Sequence, residues 1–201
     1  MPPNRYLLAI GTASYDDRDL PALPGVPAEI AAVRDALVTH CGYTPVTLAA
    51  LEAGHFNPTA VGLQAALCGW FADPARRPDD IVVVYLTGHG LSVDAGQFYY
   101  CPRDTEMRDL PGTAVPAAEI ATWCLSTRRP QHLLLIFDTC YAGQGAESAI
   151  TQALAHYKHG ADGGERTVAV LAAATHKDVA HQGLFATAFA QELAQPTALS
   201  A

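Results

Sequence analysis

The sequence predicts an α/β fold with a mostly parallel sheet covered by helices. Short apolar runs alternate with segments whose apolar residues recur at helical spacing. Such runs are typical of strands buried on both faces, and their alternation with helices is typical of parallel sheets. With 201 residues, half of them hydrophobic, the chain is long enough for one domain with a sizeable core.

The amino-terminal half predicts three strands and two helices. Each predicted strand is a short apolar run, and each helix has a proline at its start. Pro27 opens the first helix, which ends at 40–42, and Asn57 is the expected N-cap of the second, which runs to Phe71. The apolar stripe of the first helix is Ile30, Val33, Leu37 and Val38, and the predicted strands are 6–10, 45–51 and 81–86.

The carboxyl-terminal half continues the alternation. The predicted elements are a hairpin arm over 97–101, a helix over 115–125, a fully buried strand over 133–137, a second buried strand over 167–173 and an apolar helix over 184–193. Residues 143–165 are weakly patterned, with a short helix expected over 151–157. One domain is therefore expected over 1–194, followed by a linker at 195–201.

Charge and composition argue against several classes of function. A net charge of −8, from 20 acidic and 12 basic residues, disfavours nucleic-acid binding, which needs a basic surface. The apolar runs, about five to eight residues long, are far shorter than the roughly twenty that cross a bilayer, so no membrane partner is expected. Five cysteines without a CxxC pair, and no secretory signal, favour a reducing cytoplasm.

Two predicted strand ends carry reactive side chains. Cys140 follows the apolar residues of the run 135–143, and His89 follows those of the run 85–90. Because the carboxyl ends of neighbouring parallel strands form one rim, a thiol and an imidazole can meet there as nucleophile and base. The N–H of Gly90 can then point with that of Cys140 toward an oxyanion. The pair predicts cysteine-dependent hydrolysis.

These residues also have simpler interpretations. Cysteine is often buried for packing alone, so Cys140 taken singly could be a core thiol. Asp138 could accept backbone N–H groups at a strand end, and Glu29 could be an ordinary acid in a first helical turn. The other cysteines lie within or beside apolar segments and are interpreted as structural: Cys41, Cys68, Cys101 and Cys124.

The runs 85–90 and 135–143 together resemble those of the caspase-like cysteine peptidases (peptidase C14, clan CD), in their bacterial metacaspase/paracaspase branch. The histidine precedes the cysteine by about fifty residues, as in caspases. Further similarity lies in 25–29, 98–104, and 168–174 with the helix of Phe185. The resemblance implies a three-layer caspase-like α/β/α sandwich. We expect three segments: one that resembles the large subunit (1–142), a connection (143–166) and one that resembles the small subunit (167–194).

The resemblance implies a cysteine endopeptidase in which Cys140 forms a thioester and His89 is the acid and base. Animal caspases have glutamine two positions before the nucleophile, where this chain has Asp138. This difference implies cleavage after arginine or lysine, with Glu29 as a second acid and two parallel hydrogen bonds from a guanidinium to Asp138. Two alternatives remain open: a catalytically silent recruitment or signalling module, and a thiol hydrolase acting on a non-peptide acyl group.

The resemblance also bears on processing, cofactors and partners. Self-cleavage is expected after Lys158 or Arg166, the only basic residues of the connection. Some relatives need calcium, but the candidate ligands Asp104, Glu106 and Glu147 form no recognisable loop, so no metal or other cofactor is predicted. The expected partner is a peptide or protein substrate with a basic residue before the cut. A further domain or partner protein is expected beyond residue 201, as in a larger bacterial signalling or defence protein.

Overall fold

The computed structural model describes residues 2–49, 51, 56–93, 97–127, 129–140, 151, 167–173 and 183–195. Strands and helices alternate along them, as the sequence predicts. In chain order the elements are β1 (Arg5–Gly11), α1 (Val26–Cys41), β2 (Thr44–Pro45), α2 (Ala60–Ala72), β3 (Ile81–Gly88), β4 (Gly90–Val93), β5 (Gln97–Tyr100), a 3₁₀ turn (Met107–Asp109), α3 (Leu110–Thr113), β6 (Val115–Pro116), α4 (Ala117–Leu125), β7 (His132–Thr139), β8 (Thr167–Ala172) and α5 (Leu184–Ala194).

The main sheet has five strands in the order β2-β1-β3-β7-β8, and every neighbouring pair is parallel. β3 lies at its centre between β1 and β7. A smaller antiparallel sheet, β4-β5-β6, begins two residues after the end of β3. Because crossover connections return each strand in the same direction, all five carboxyl ends lie on one edge of the main sheet.

Helices cover both faces of the main sheet. α1 and α5 pack on one face, where Leu7, Val83 and Ile136 meet the apolar residues of the two helices. α2 and α4 pack on the other face against the intervening strand residues. Since successive strand residues point to opposite faces, Tyr85 and Thr87 of β3 both lie on the α1/α5 side. The predicted three-layer α/β/α fold is confirmed.

Two predictions near the start of α2 are wrong. The strand expected over 45–51 is paired only at Thr44–Pro45, because a short edge strand can bury its later apolar residues without a ladder. Asn57 is not the N-cap of α2: its φ is 53°, and its side-chain oxygen accepts the N–H groups of Ala13 and Ser14 at 2.7 and 2.9 Å. Thr59 caps the helix instead, accepting from the Gly62 N–H.

Smaller corrections concern exposure and element boundaries. Val38 is 39% exposed and lies outside the buried stripe of α1. Residues 115–116 pair with β5 and precede the helix that was expected to include them. β8, predicted to be buried, alternates between exposed and half-buried residues, because it is the last strand of the main sheet and has a neighbour on one side only among the described residues. The helix expected over 151–157, the connection and the linker lie outside the described residues, except for Thr151 and Gln195.

Among the helices described, none combines the length and the apolar character needed to cross a membrane.

Candidate active site

The two predicted catalytic residues follow the ends of two neighbouring strands. β3 and β7 are in register along their whole length, from Ile81 opposite His132 to Gly88 opposite Thr139. His89 and Cys140 directly follow that last pair, and both are half-buried. The structure thus places His89 and Cys140 at the adjacent carboxyl ends of two neighbouring strands, on the edge where ligands of parallel sheets bind.

Gly88 allows the chain to turn between β3 and His89. Its φ of +146° lies in a region that favours glycine. A Cβ at this position would lie 3.1 Å from the Tyr15 hydroxyl and 3.2 Å from the Thr12 carbonyl oxygen. The strand end is therefore shaped by a residue without a side chain.

The imidazole of His89 is held by a backbone carbonyl. Its Nε2 lies 2.8 Å from the Pro21 oxygen. A carbonyl oxygen can only accept, so Nε2 is the donor in this hydrogen bond. In the neutral ring, Nδ1 is then the nitrogen that can accept a proton.

Tyr15 supports both the ring and the backbone of His89. The two ring centroids are 4.9 Å apart, with an interplanar angle of 39°. The Tyr15 hydroxyl accepts the His89 N–H at 2.8 Å and donates to the Thr12 carbonyl at 3.0 Å. Burial raises the pKa of Tyr15, so the hydroxyl keeps its proton for that donation. Sequence reasoning identified neither Tyr15 nor Pro21, since both lie in a loop without periodicity.

The N–H of Gly90 is directed away from the small sheet. Gly90 is opposite Tyr100, and the flanking hydrogen bond runs from the Cys101 N–H to the His89 carbonyl at 3.0 Å. This pattern makes Gly90–Tyr100 a non-hydrogen-bonded pair, in which both N–H groups point away from the partner strand. The Gly90 N–H is therefore not bonded to β5, and its oxyanion role stays a prediction.

We expect Gly90→Ala to lower both stability and activity. The added methyl would lie 2.6 Å from the Phe98 ring and 2.6 Å from Thr139 Oγ1, and such overpacking costs about 1–3 kcal/mol. Urea unfolding and a peptidase assay would measure the two effects. Gly69→Ala in α2 is the control, because nothing lies within 4 Å there and alanine favours a helix by about 1 kcal/mol. A Gly90→Ala protein equal to wild type would contradict this close packing.

The structure also brings the two predicted acids together. Asp138 of β7 is opposite Thr87 of β3, and its Oδ2 accepts the Tyr85 hydroxyl at 2.7 Å. Glu29 of α1 is only 6% exposed, and its Oε2 accepts the Thr87 hydroxyl. Both carboxylates therefore lie between α1 and the end of the sheet, beneath the strand end that carries Cys140.

The acid pair, Asp138 and Glu29, has no cationic partner in the ion pairs of the described residues. Burial raises the pKa of Asp138 to about 6; the Tyr85 hydrogen bond opposes this rise and the nearby Glu29 charge adds to it. Since buried charge is costly without a partner, the pair is suited to bind a cation.

The two parallel hydrogen bonds expected from a guanidinium to Asp138 stay a prediction. A guanidinium forming two parallel hydrogen bonds on this carboxylate would have to share Oδ2 with the Tyr85 hydroxyl. Tyr85 and Thr87 were not identified from the sequence. The available signal was two hydroxyl side chains at alternate positions of a strand that is otherwise Ile, Val, Leu and Gly.

The remaining cysteines have core or partly covered positions. Cys101 and Cys124 are buried, which raises the pKa of both thiols, that of Cys101 to about 12. Cys41 and Cys68 are half-buried, and partial burial also raises the pKa of Cys68. The structural interpretation agrees with the burial of Cys101 and Cys124, although Cys101 lies beside the site, where its N–H donates to the His89 carbonyl.

Within the described ranges, no three His, Cys, Asp or Glu side chains are grouped to hold a metal ion. Asp104 instead accepts the N–H of Ala60 at 2.8 Å, at the start of α2. Glu106 is exposed beside the 3₁₀ turn. The third candidate calcium ligand and the two expected self-cleavage residues lie outside the described residues: Glu147, Lys158 and Arg166.

Comparison with known proteins is consistent with this geometry. A search of curated proteins returns no match to the chain. The family model for the caspase domain, Peptidase_C14, matches residues 4–200. It does not separate the bacterial metacaspase/paracaspase branch from other branches, so that finer assignment stays a prediction. Since the match spans nearly every residue and agrees with the three-layer sheet, the chain belongs to the caspase-domain family, Peptidase_C14.

Proposed function

We propose that this chain is a cysteine endopeptidase that cleaves after arginine or lysine, with Cys140 and His89 as a catalytic dyad. The observation that carries the proposal is the acid pair next to the strand ends of these two residues. Buried Glu29 and half-buried Asp138 have no cationic partner in the ion pairs of the described residues, which favours a ligand that supplies the positive charge. In a peptidase that ligand is the basic side chain before the scissile bond.

The dyad supplies the chemistry in two stages. His89 Nδ1 takes the proton of the Cys140 thiol, and the thiolate attacks the carbonyl carbon of the scissile peptide. The N–H groups of Gly90 and Cys140 donate to the oxyanion that forms. The Nδ1–H of the imidazolium then protonates the leaving amine, the C–N bond breaks, and a thioester remains. His89 finally takes a proton from water, whose oxygen attacks the thioester and releases the acid and the thiol.

A peptide library with every residue type before the cut tests the proposal. Purified protein should cleave after arginine most rapidly, after lysine more slowly, and after aspartate or apolar residues hardly at all. The order follows from charge and from the guanidinium's larger set of donors. A preference for aspartate would contradict a basic pocket, and the absence of any cleavage would favour the silent signalling module.

We expect kcat/KM for arginine peptides to fall as the pH drops through about 6. Asp138 has a raised pKa of about 6, so it is ionised above that pH and loses its charge below it. The titratable groups facing it are Tyr85 from β3 and Glu29 from α1. Initial rates between about pH 5 and about pH 8 would show this fall in kcat/KM on the acid side of the profile, called here the acid limb.

Alkylation of Cys140 by iodoacetamide over the same pH range is the control for this pH profile, because it needs the dyad but no specificity pocket. The ratio of peptide turnover to alkylation isolates the contribution of the acid pair. A ratio that does not change through pH 6, in protein that remains folded, would contradict recognition by an ionised Asp138.

A further inference from the structure

Two buried hydroxyls of β3 contact the acid pair. Tyr85 has no exposed surface and donates to Asp138 at 2.7 Å. Thr87 is 1% exposed and donates to Glu29. Phenylalanine and valine would fill the same space in this apolar strand, so packing alone does not require the hydroxyls. A buried hydroxyl needs a hydrogen-bond partner, and here each one has a carboxylate.

Each hydroxyl occupies one oxygen of one acid. Among the described residues, no hydrogen bond reaches the second oxygen, Oδ1 of Asp138 or Oε1 of Glu29. A carboxylate fixed by a donor on a rigid central strand has lost its rotational freedom before the substrate arrives. Such preorganisation lowers the entropic cost of binding.

We propose that Tyr85 and Thr87 are positioning residues for substrate recognition, holding Asp138 and Glu29 so that each acid presents one oxygen to a basic side chain. This inference rests on the proposed function and deepens it. An arginine guanidinium can then donate an N–H group to each of the two acids. The planar guanidinium, with five donors, matches two separate acceptors better than an ammonium does.

The Tyr85 hydrogen bond also keeps Asp138 ionised. It lowers the pKa of Asp138, whereas burial and the Glu29 charge raise it. Tyr85 and Glu29 are the titratable groups that face Asp138, from β3 and α1 respectively. Removing the Tyr85 hydroxyl therefore leaves the two raising effects unopposed, and the carboxyl gains its proton at a higher pH.

Tyr85→Phe tests the inference, with Tyr99→Phe as the matched control. Tyr99 is 4% exposed and lies in a separate apolar cluster. Tyr85→Phe should raise KM for arginine peptides about tenfold, the usual effect of one hydrogen bond to a charged group, with a smaller change in kcat. Its acid limb should move to higher pH, which a purely structural defect would not cause. Tyr99→Phe should change neither quantity.

Thr87→Val provides a second variant, because it removes the donor to Glu29 while keeping the shape of the side chain. Thr87→Val should also raise KM for arginine peptides. If Tyr85→Phe fails to fold, Thr87→Val alone tests the inference. An unchanged KM in folded Thr87→Val would then overturn the role of the hydroxyls.

Carbon-13 NMR titration of the Asp138 carboxyl provides a readout that needs no activity. We expect a higher pKa in Tyr85→Phe than in wild type. A wild-type protein that cleaves no arginine peptide would overturn the proposed function, while this titration still tests the hydrogen bond. In folded Tyr85→Phe, an unshifted Asp138 titration or an unchanged KM would overturn the positioning role.

Discussion

Replacing Cys140 with alanine is expected to abolish proteolysis and to leave the fold intact. The side chain is half-buried at the end of β7 and is not part of the main cores. Without the thiol no thioester forms, and His89 has no nucleophile to activate. The loss of kcat should be on the order of 10⁴-fold or more, as for other nucleophile and base pairs that act as a unit. Turnover of an arginine peptide measures it, and thermal unfolding checks the fold.

The companion variants decide whether the two residues act together. His89→Ala should be as inactive as Cys140→Ala, and the double variant should be no worse than either. Cys41→Ala is the matched control, because Cys41 is a half-buried cysteine at the end of α1, and it should retain turnover. Substantial peptide cleavage by purified Cys140→Ala would exclude this thiol as the nucleophile.

Asp138→Asn is expected to lower kcat/KM for arginine peptides by about a hundredfold or more, since leaving a buried charge without its partner costs about 3 kcal/mol or more. Asparagine keeps the shape of the side chain and an oxygen that can accept from Tyr85. Only the negative charge is lost. Lysine peptides should lose activity as well, and discrimination against aspartate peptides should weaken.

Asp35→Asn is the control for this charge change, because Asp35 lies on the surface in an exposed pair with Arg34. Surface pairs contribute little, so its kinetics should match wild type. Iodoacetamide should alkylate Cys140 equally well in both variants, showing that the dyad is intact. An Asp138→Asn enzyme that keeps its full arginine preference would place the specificity pocket elsewhere.

The parts of the site that could be predicted from the sequence are those set by the main strands. Cys140 and Asp138 are two positions apart at the end of one apolar run, and His89 ends another. Parallel pairing is enough to place such residues on one edge of a sheet. The structure supplies the register, with Thr87 opposite Asp138. Glu29 could be named only through the family resemblance, because an acid in a first helical turn has an ordinary explanation.

The residues that the sequence did not reveal are those whose role depends on loops or on register. Tyr15 and Pro21 lie in a loop whose return to His89 no periodic pattern encodes. Asn57 was predicted to start a helix because Asn-Pro often does so, yet its side chain binds the loop at Ala13. The sequence shows Tyr85 only as a large residue of a buried strand. Its role becomes visible when the alignment of β3 with β7 is known.

Covalent labelling tests the central claim most directly. Wild-type protein would be treated with two peptidyl electrophiles that differ only in the residue before the reactive carbonyl, arginine in one and aspartate in the other. Intact-mass measurement and peptide mapping would follow. We expect one adduct, on Cys140, formed rapidly with the arginine probe and hardly at all with the aspartate probe, and lost in His89→Ala and Asp138→Asn. Labelling of another cysteine, or faster labelling by the aspartate probe, would contradict a Cys140 peptidase with a basic specificity pocket.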